Sequence, residues 1–244
     1  MEATGSPKTR NRSLSEKAYL YIKNAIIANQ FKPGEALSEE LIAARLDMSR
    51  TPIREALRKL QLEGLVQVIP NRGAFVTRLS LNDIREIFQL REVLEGAASR
   101  LAAEFISPEV LEKLERKRKE LELKSPAADH QEFYNFGLEL HDAILKAARN
   151  RRLYNFIRSL NDQIERLRRI SSLDPKRTET SFGQHCAILD ALKARDGAAA
   201  EGAMVAHIAD TRNSVYLVLD REAVDWTEDV LDESGYILPL SKGE

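Results

Sequence analysis

Three of the four histidines stand where they could bind a metal ion. His185 lies on the apolar stripe of Phe182, Ile188, Leu189 and Leu192, and His207 shares a face with Ala203, Met204 and Thr211. His141 flanks the stripe of Phe133, Phe136, Leu140 and Ile144. Each belongs to a different predicted helix and faces its inner side. Imidazoles that converge in a helical core suit zinc or a similar transition metal. The pattern equally fits three separate core histidines, each hydrogen-bonded locally. His130 precedes His141 on one helix by eleven residues, about 16 Å at ~1.5 Å per residue, which is too far for a shared ion.

A second group of reactive side chains lies far upstream. Arg50, Arg54, Arg58 and Gln61 share the polar face of a predicted helix, with Thr51 at its edge, while Ile53, Ala56, Leu57 and Leu60 line the other face. Such a helix fits the major groove of DNA and presents its N-terminal residues to base edges. Arg50 and Arg54 carry the fork that pairs with guanine. The hydroxyls of Ser49 and Thr51, with the helix N-terminus itself, can hold a phosphate. Arg72, in the turn Pro70-Asn71-Arg72-Gly73, can reach backbone or minor groove. A merely solvated arginine face would read the same way.

The elements that must position these residues are mostly helices. Ser15 reads as an N-cap, with Leu14 and Tyr19 as a hydrophobic staple, and the helix ends near Asn29, ahead of Pro33-Gly34. A short helix runs from Ser38 to about Leu46. After the turn at Asp47-Met48 the basic helix begins at Ser49, has Pro52 in its first turn and ends at Gly64. Strands Leu65–Ile69 and Ala74–Thr77 follow. Helix, short helix, turn, basic helix and hairpin make a winged helix-turn-helix.

From Ser80 onward only helical periodicity is present. Ser80 and Asp83 form a capping box. The helix runs to about Phe105 with Ile84, Ile87, Phe88, Leu90, Leu94, Ala98 and Leu101 as apolar positions. Ser107-Pro108 opens a helix that ends near Lys124, whose charged run Glu112 to Glu122 is expected to face solvent. Further helices are expected at 129–148, 151–171, 176–194 and 197–221. The fold class is therefore mainly α. It comprises a disordered arm over 1–13, a winged helix-turn-helix over 14–78, an all-helical bundle over 79–222 and a tail over 223–244 without clear pattern.

Composition narrows the function. Residues 1–78 carry 13 Lys and Arg against 8 Asp and Glu, while the remainder carries 24 against 30. A basic first third on an acidic remainder is expected if only the first third meets phosphate. The one cysteine, Cys186, excludes an intramolecular disulfide and suits a reducing cytoplasm. Met1 to Ser13 is too polar for a signal peptide. No apolar run approaches the roughly 20 residues of a membrane span. No nucleophile motif or Gly-rich phosphate loop suggests an enzyme.

The stretch Pro33-Gly34-Glu35-Ala36-Leu37-Ser38-Glu39, followed by Ser49-Arg50-Thr51-Pro52-Ile53-Arg54-Glu55-Ala56-Leu57, then Glu63-Gly64-Leu65-Val66 and Asn71-Arg72-Gly73-Ala74-Phe75-Val76, strongly resembles the GntR family of bacterial regulators. The resemblance implies DNA contacts from Ser49, Arg50, Thr51 and Arg54 on the recognition helix and from Arg72 and Gly73 in the wing. Some members place a DNA-contacting arginine where this chain has Glu40, and that contact is not carried over. Arg91-Glu92-Val93-Leu94-Glu95, Leu140-His141-Asp142-Ala143-Ile144 with Asn150, Gln184-His185, and His207 are similar to the FCD branch of the family.

That branch has an all-α domain that commonly binds small carboxylates, often through a divalent metal on three histidines and an acidic or amide residue. The resemblance implies His141, His185 and His207 as the metal ligands. The position four before His141, usually Asp or Asn, is here Gly137, so a bound zinc or similar ion has three protein ligands. An aspartate at 137 is expected to complete a four-ligand set. Arg91 has the geometry to pair with an effector carboxylate, or with Glu95 one turn later. The chain then reads as a homodimeric cytoplasmic repressor of a short inverted-repeat operator on double-stranded DNA, controlled by a small organic acid. The alternatives are a regulator that answers to the metal alone and a three-histidine metalloenzyme.

Overall fold

Serine side chains set four of the helix starts. In the computed structural model, which describes residues 13–172, 174 and 176–221, Ser13 Oγ accepts from the Glu16 N–H at 3.1 Å and begins α1, Leu14–Ile27. The cap is thus Ser13, not Ser15, and Leu14 stays exposed instead of forming a staple. Ser38 accepts from Leu41 N–H and begins α2, Glu39–Leu46. Ser80 and Asp83 close the expected capping box on α4, Leu81–Phe105. Ser107 accepts from Val110 N–H at the start of α5, Pro108–Glu122. Each such cap stabilises its helix by about 1 kcal/mol.

The chain divides into two compact units between Arg78 and Leu79. In the first, α1 and α3 (Arg50–Leu62) pack around Ile22, Ile26, Ile53, Leu60 and Leu65, all essentially inaccessible. Strands β2 (Val66–Ile69) and β3 (Gly73–Val76) form the hairpin, with Val66 opposite Val76 and Ile69 opposite Gly73. Sequence reading missed β1, Ala36–Leu37, which adds to the other side of β3. Two residues are too few to show a strand period.

The second unit continues with α6 (His130–Ala147), α7 (Arg151–Ser159), α8 (Asn161–Ser171), α9 (Arg177–Lys193) and α10 (Gly197–Arg221). Its core holds Phe88, Phe136, Leu140, Leu167, Ile188 and Leu192, each 0% or 1% exposed. Burying one such side chain is worth about 1.5–3 kcal/mol. The single helix expected over 151–171 is broken at Leu160. There the Ser159 hydroxyl donates to the Phe156 carbonyl at 2.7 Å, and Leu160 N–H turns to Ile157 O instead. A serine hydroxyl competing for a helical carbonyl disrupts the ladder locally.

One other expectation is corrected and one is refined. Leu90 is not a core position: it is exposed, as is Val93. The charged run of α5 faces solvent as expected at Glu112, Arg116, Lys119, Glu120 and Glu122, but four of its side chains also reach neighbouring helices. Arg118 binds Asp190 of α9, Glu115 pairs with Lys193, and Lys113 and Lys117 hold Glu139 of α6. The expected arm, apart from Ser13, and the expected tail lie outside the described residues. Among the described residues no helix is long and apolar enough to cross a membrane.

Candidate functional site

The recognition helix α3 buries Ile53, Ala56, Leu57 and Leu60 and exposes Arg50, Thr51, Arg54 and Arg58. Ser49 is its N-cap residue, yet its side chain makes no capping bond. The hydroxyl and the first N–H groups of the helix are therefore placed to meet a phosphate together. Arg50 and Arg54 converge on one carboxylate: Glu39 Oε2 accepts from Arg54 Nε at 2.7 Å and from Arg50 at 3.4 Å. In the wing, Arg72 is exposed and Gly73 has φ +102° with open space where a Cβ would lie. Glycine is needed there for its backbone angle, not for room.

The three histidines converge in the second unit. His141 on α6, His185 on α9 and His207 on α10 are each buried, and a ligand atom of each lies within 4.8 Å of the others. His141 Nδ1 is 2.6 Å from Glu95 Oε2, and His207 Nδ1 is 3.0 Å from Gln184 Oε1. The Glu95 carboxylate favours the His141 tautomer with its proton on Nδ1, which leaves Nε2 as its ligand atom, while His207 Nδ1 also faces a donor, the Arg177 guanidinium, at 3.3 Å. The two Nε2 atoms are 3.4 Å apart. His185 Nε2 is buried and has no hydrogen-bond partner. Burial pushes the pKa of His141 down to about 4, aided by Arg168 and opposed by Glu95. Burial and the neighbouring imidazoles push His185 and His207 well below the usual range. All three are neutral near pH 7, as ligation requires. The donor set fits a divalent transition ion.

Arg91 on α4 is 0% exposed, and both sequence expectations for it bear on the geometry. Its Nε donates to Glu95 Oε1 at 2.7 Å, while both terminal nitrogens have no partner. Glu95 therefore joins Arg91 to His141, with Arg168 of α8 3.8 Å away. Burial alone would raise the Glu95 carboxyl; Arg91, His141 and Arg168 overcome it and hold the group well below the carboxylate range. Arg91, Arg168, Arg177 and the three histidines line one cavity. His130, outside the histidine cluster, lines it too.

Gly137 lies where expected, one turn before His141, but its side is not vacant. A Cβ built there falls 2.5 Å from His185 Cε1. The imidazole of His185 occupies the volume a residue-137 side chain would need. An aspartate at 137 thus cannot join the three histidines as they stand; the ring must first move.

The family description "Bacterial regulatory proteins, gntR family" matches residues 14–76, and the description "FCD domain" matches residues 86–210. The chain belongs to the GntR family. The "HTH-type transcriptional repressor RspR" of Escherichia coli (strain K12) is 29% identical over 213 residues, 87% of this chain and 93% of that protein. The regulator YdhC of Bacillus subtilis (strain 168) is 30% identical over 190 residues, 78% and 85% of the two chains. The "Probable D-xylose utilization operon transcriptional repressor" of Paenarthrobacter nicotinovorans is 29% identical over 209 residues, 86% and 91%. Among solved structures, E. coli McbR/YncC has a TM-score of 0.69 at 22% identity, covering 86% of this chain and 99% of that one, a likeness of fold. This GntR protein is a DNA-binding transcriptional regulator and not an enzyme.

Four residues of the regulator escaped sequence reading as partners of its sites. Glu39 was visible only as a helix-start acid, yet it gathers the recognition arginines. Glu95 was visible as a partner of Arg91, but its bond to His141 spans 46 residues. Arg168 sits in α8 beside Arg166 and Arg169, which look alike in sequence, and the partners of Arg177 lie on another helix, α10. Arg177 donates to Asp210 at 2.9 Å and to Thr211 at 2.6 Å beside His207.

Proposed function

We propose that this GntR protein is a repressor that binds a short inverted-repeat operator as a homodimer in the cytoplasm, and that a small carboxylate in its helical unit changes its operator affinity. His141, His185 and His207 would hold a divalent metal, and Arg91 would take a ligand carboxylate. A metal held there supplies a Lewis-acidic position for a carboxylate oxygen. The observation that carries the reading is one cavity in which three neutral imidazoles face a buried guanidinium with two unpartnered nitrogens. Leaving such donors buried and unpaired is costly, and an anionic ligand relieves the cost. Repression is supported by two relatives named as repressors. A two-fold dimer would require the inverted repeat.

The test is gel-shift titration on DNA from the promoter region of the chain's own gene. Chelator-treated and zinc-loaded protein are each challenged with a panel of small organic acids. Coupling of about 1–3 kcal/mol should appear as a roughly 5- to 150-fold change in DNA affinity. Unchanged affinity across the panel would overturn effector control, and a monomer by light scattering would overturn the dimer. A second reading has its own support: the three histidines form a ligand cluster without any side chain from position 137. If zinc alone releases the DNA and acids add nothing, the metal is the signal.

A further inference from the structure

One acid stands among the arginines of the recognition helix. Arg50 and Arg54 of α3 have side chains more than half exposed, and both reach the same atom, Oε2 of Glu39. Glu39 is the first residue of α2, and its own side chain is only 27% exposed. Its backbone is fixed on both sides. Leu37, two residues earlier, is buried and pairs with Ala74 across the sheet, while the Ser38 cap accepts from Leu41 N–H at 3.2 Å. The carboxylate therefore hangs from a fixed corner between β1 and α2, and the arginines come to it.

Arg54 is gripped at one particular atom. It donates through Nε at 2.7 Å and makes no other polar contact among the described residues. A guanidinium carries five N–H groups in one plane. With Nε committed, those on the two terminal nitrogens remain, and that outer edge of the fork can meet O6 and N7 of a guanine. Arg50 is held more loosely, through a terminal nitrogen at 3.4 Å, so Arg54 is the better aligned of the two. A free arginine gives up its rotamer freedom on meeting DNA, whereas one already held has less to lose. The same carboxylate repels phosphate, and it does so whatever the sequence.

We propose that Glu39 is a positioning residue that sets operator specificity: it grips Arg54 by Nε so that the two terminal nitrogens face a guanine as a fork, and it withholds affinity from DNA that offers none. The inference rests on reading α3 as the helix that meets base edges. Removing the carboxylate takes away a repulsion felt by all DNA and an alignment felt only by the right base. A carboxylate that merely competed with DNA for the arginines would weaken every sequence alike.

The test uses the DNA that the full parent chain selects from a pool of random-sequence duplexes, titrated by gel shift beside the unselected pool. Glu39→Gln should bind the pool as well as the parent does or up to about fivefold tighter, the scale of one exposed charge. It should bind the selected DNA about threefold to tenfold more weakly, the scale of coupled neighbours. Glu39→Asp keeps the charge but draws the carboxylate back by one methylene, so pool affinity should hold while the preference for selected DNA falls. On an Arg54→Ala background, Glu39→Gln should shift selected and unselected DNA by the same factor, because no fork is left to align. Thermal melting verifies that the variants fold. Selected and unselected DNA shifting alike in Glu39→Gln itself would make the acid a competitor and overturn the proposal. A loss of preference that persists without Arg54 would make Glu39 a DNA contact in its own right and overturn it too. The two readings fail separately. If the parent selects nothing, or Arg54→Ala keeps the full preference, α3 does not read the bases and both fall; if Arg54→Ala loses the preference and Glu39→Gln keeps it, the role of Glu39 falls alone.

Discussion

Arginines serve both units of this regulator, and the two units keep them in opposite states. Arg50 and Arg54 of the recognition helix are 57% and 56% exposed and share the surface carboxylate of Glu39. Arg91 is 0% exposed, shares Glu95 and leaves two nitrogens without a partner. On the surface, water satisfies whatever Glu39 does not, so the arginines can take up a base edge at small cost. In the cavity no water competes on equal terms, and each unpaired N–H is a standing demand for an acceptor. Exposure suits a large polyanion that arrives from outside; burial suits a small anion that must be enclosed.

The comparison breaks most easily through its two carboxylates. Glu95→Ala should destabilise the second unit by about 3–5 kcal/mol, because it strands Arg91 and weakens the hold on His141. Glu39→Ala should cost no more than about 1 kcal/mol, the usual worth of an exposed ion pair. Urea denaturation of both variants checks the contrast. Equal losses would mean that burial does not set the worth of these pairs. The next effect is on DNA. Arg54→Ala should weaken operator binding by about 1–3 kcal/mol, the value of a good base contact, and affect random DNA much less. A variant that binds both as the parent does would remove α3 from the major groove.

Legibility differed between the units for the same physical reason. The exposed face of α3 is a local property, so Arg50, Thr51 and Arg54 could be placed from the 3.6-residue period alone. The period also placed α4, α6, α9 and α10 and turned His141, His185 and His207 inward. What the cavity does with them was not local. The bond from Glu95 to His141 and the meeting of Arg168 with Glu95 depend on which helices touch, which periodicity does not encode. The break at Leu160 was hidden because Ser159 is an ordinary helix residue until its hydroxyl takes the Phe156 carbonyl. Gly137 shows both sides. Its place one turn from His141 was readable, but the ring of His185 lying over it was not.

That ring makes the smallest effect a sharp one. Alanine at 137 offers no ligand atom, so by ligand counting Gly137→Ala should leave metal affinity untouched. The geometry says otherwise: the new Cβ would fall 2.5 Å from His185 Cε1 and 3.2 Å from both ring nitrogens. The imidazole must tilt away, and its Nε2 leaves the shared position with His141 and His207. Helix propensity acts in the opposite sense, since alanine is favoured over glycine by about 0.8–1 kcal/mol in a helix interior. The metal-free variant should therefore melt close to the parent or slightly above it. Zinc should bind it more weakly, by less than about tenfold or 1.4 kcal/mol, because the ring can recover part of its position by rotation. Calorimetric zinc titration beside chelator-treated melts separates the two effects. Zinc affinity equal to the parent's, in a variant that folds equally well, would show that His185 need not lie over Gly137 to act, and an aspartate at that position would again be able to add a fourth ligand.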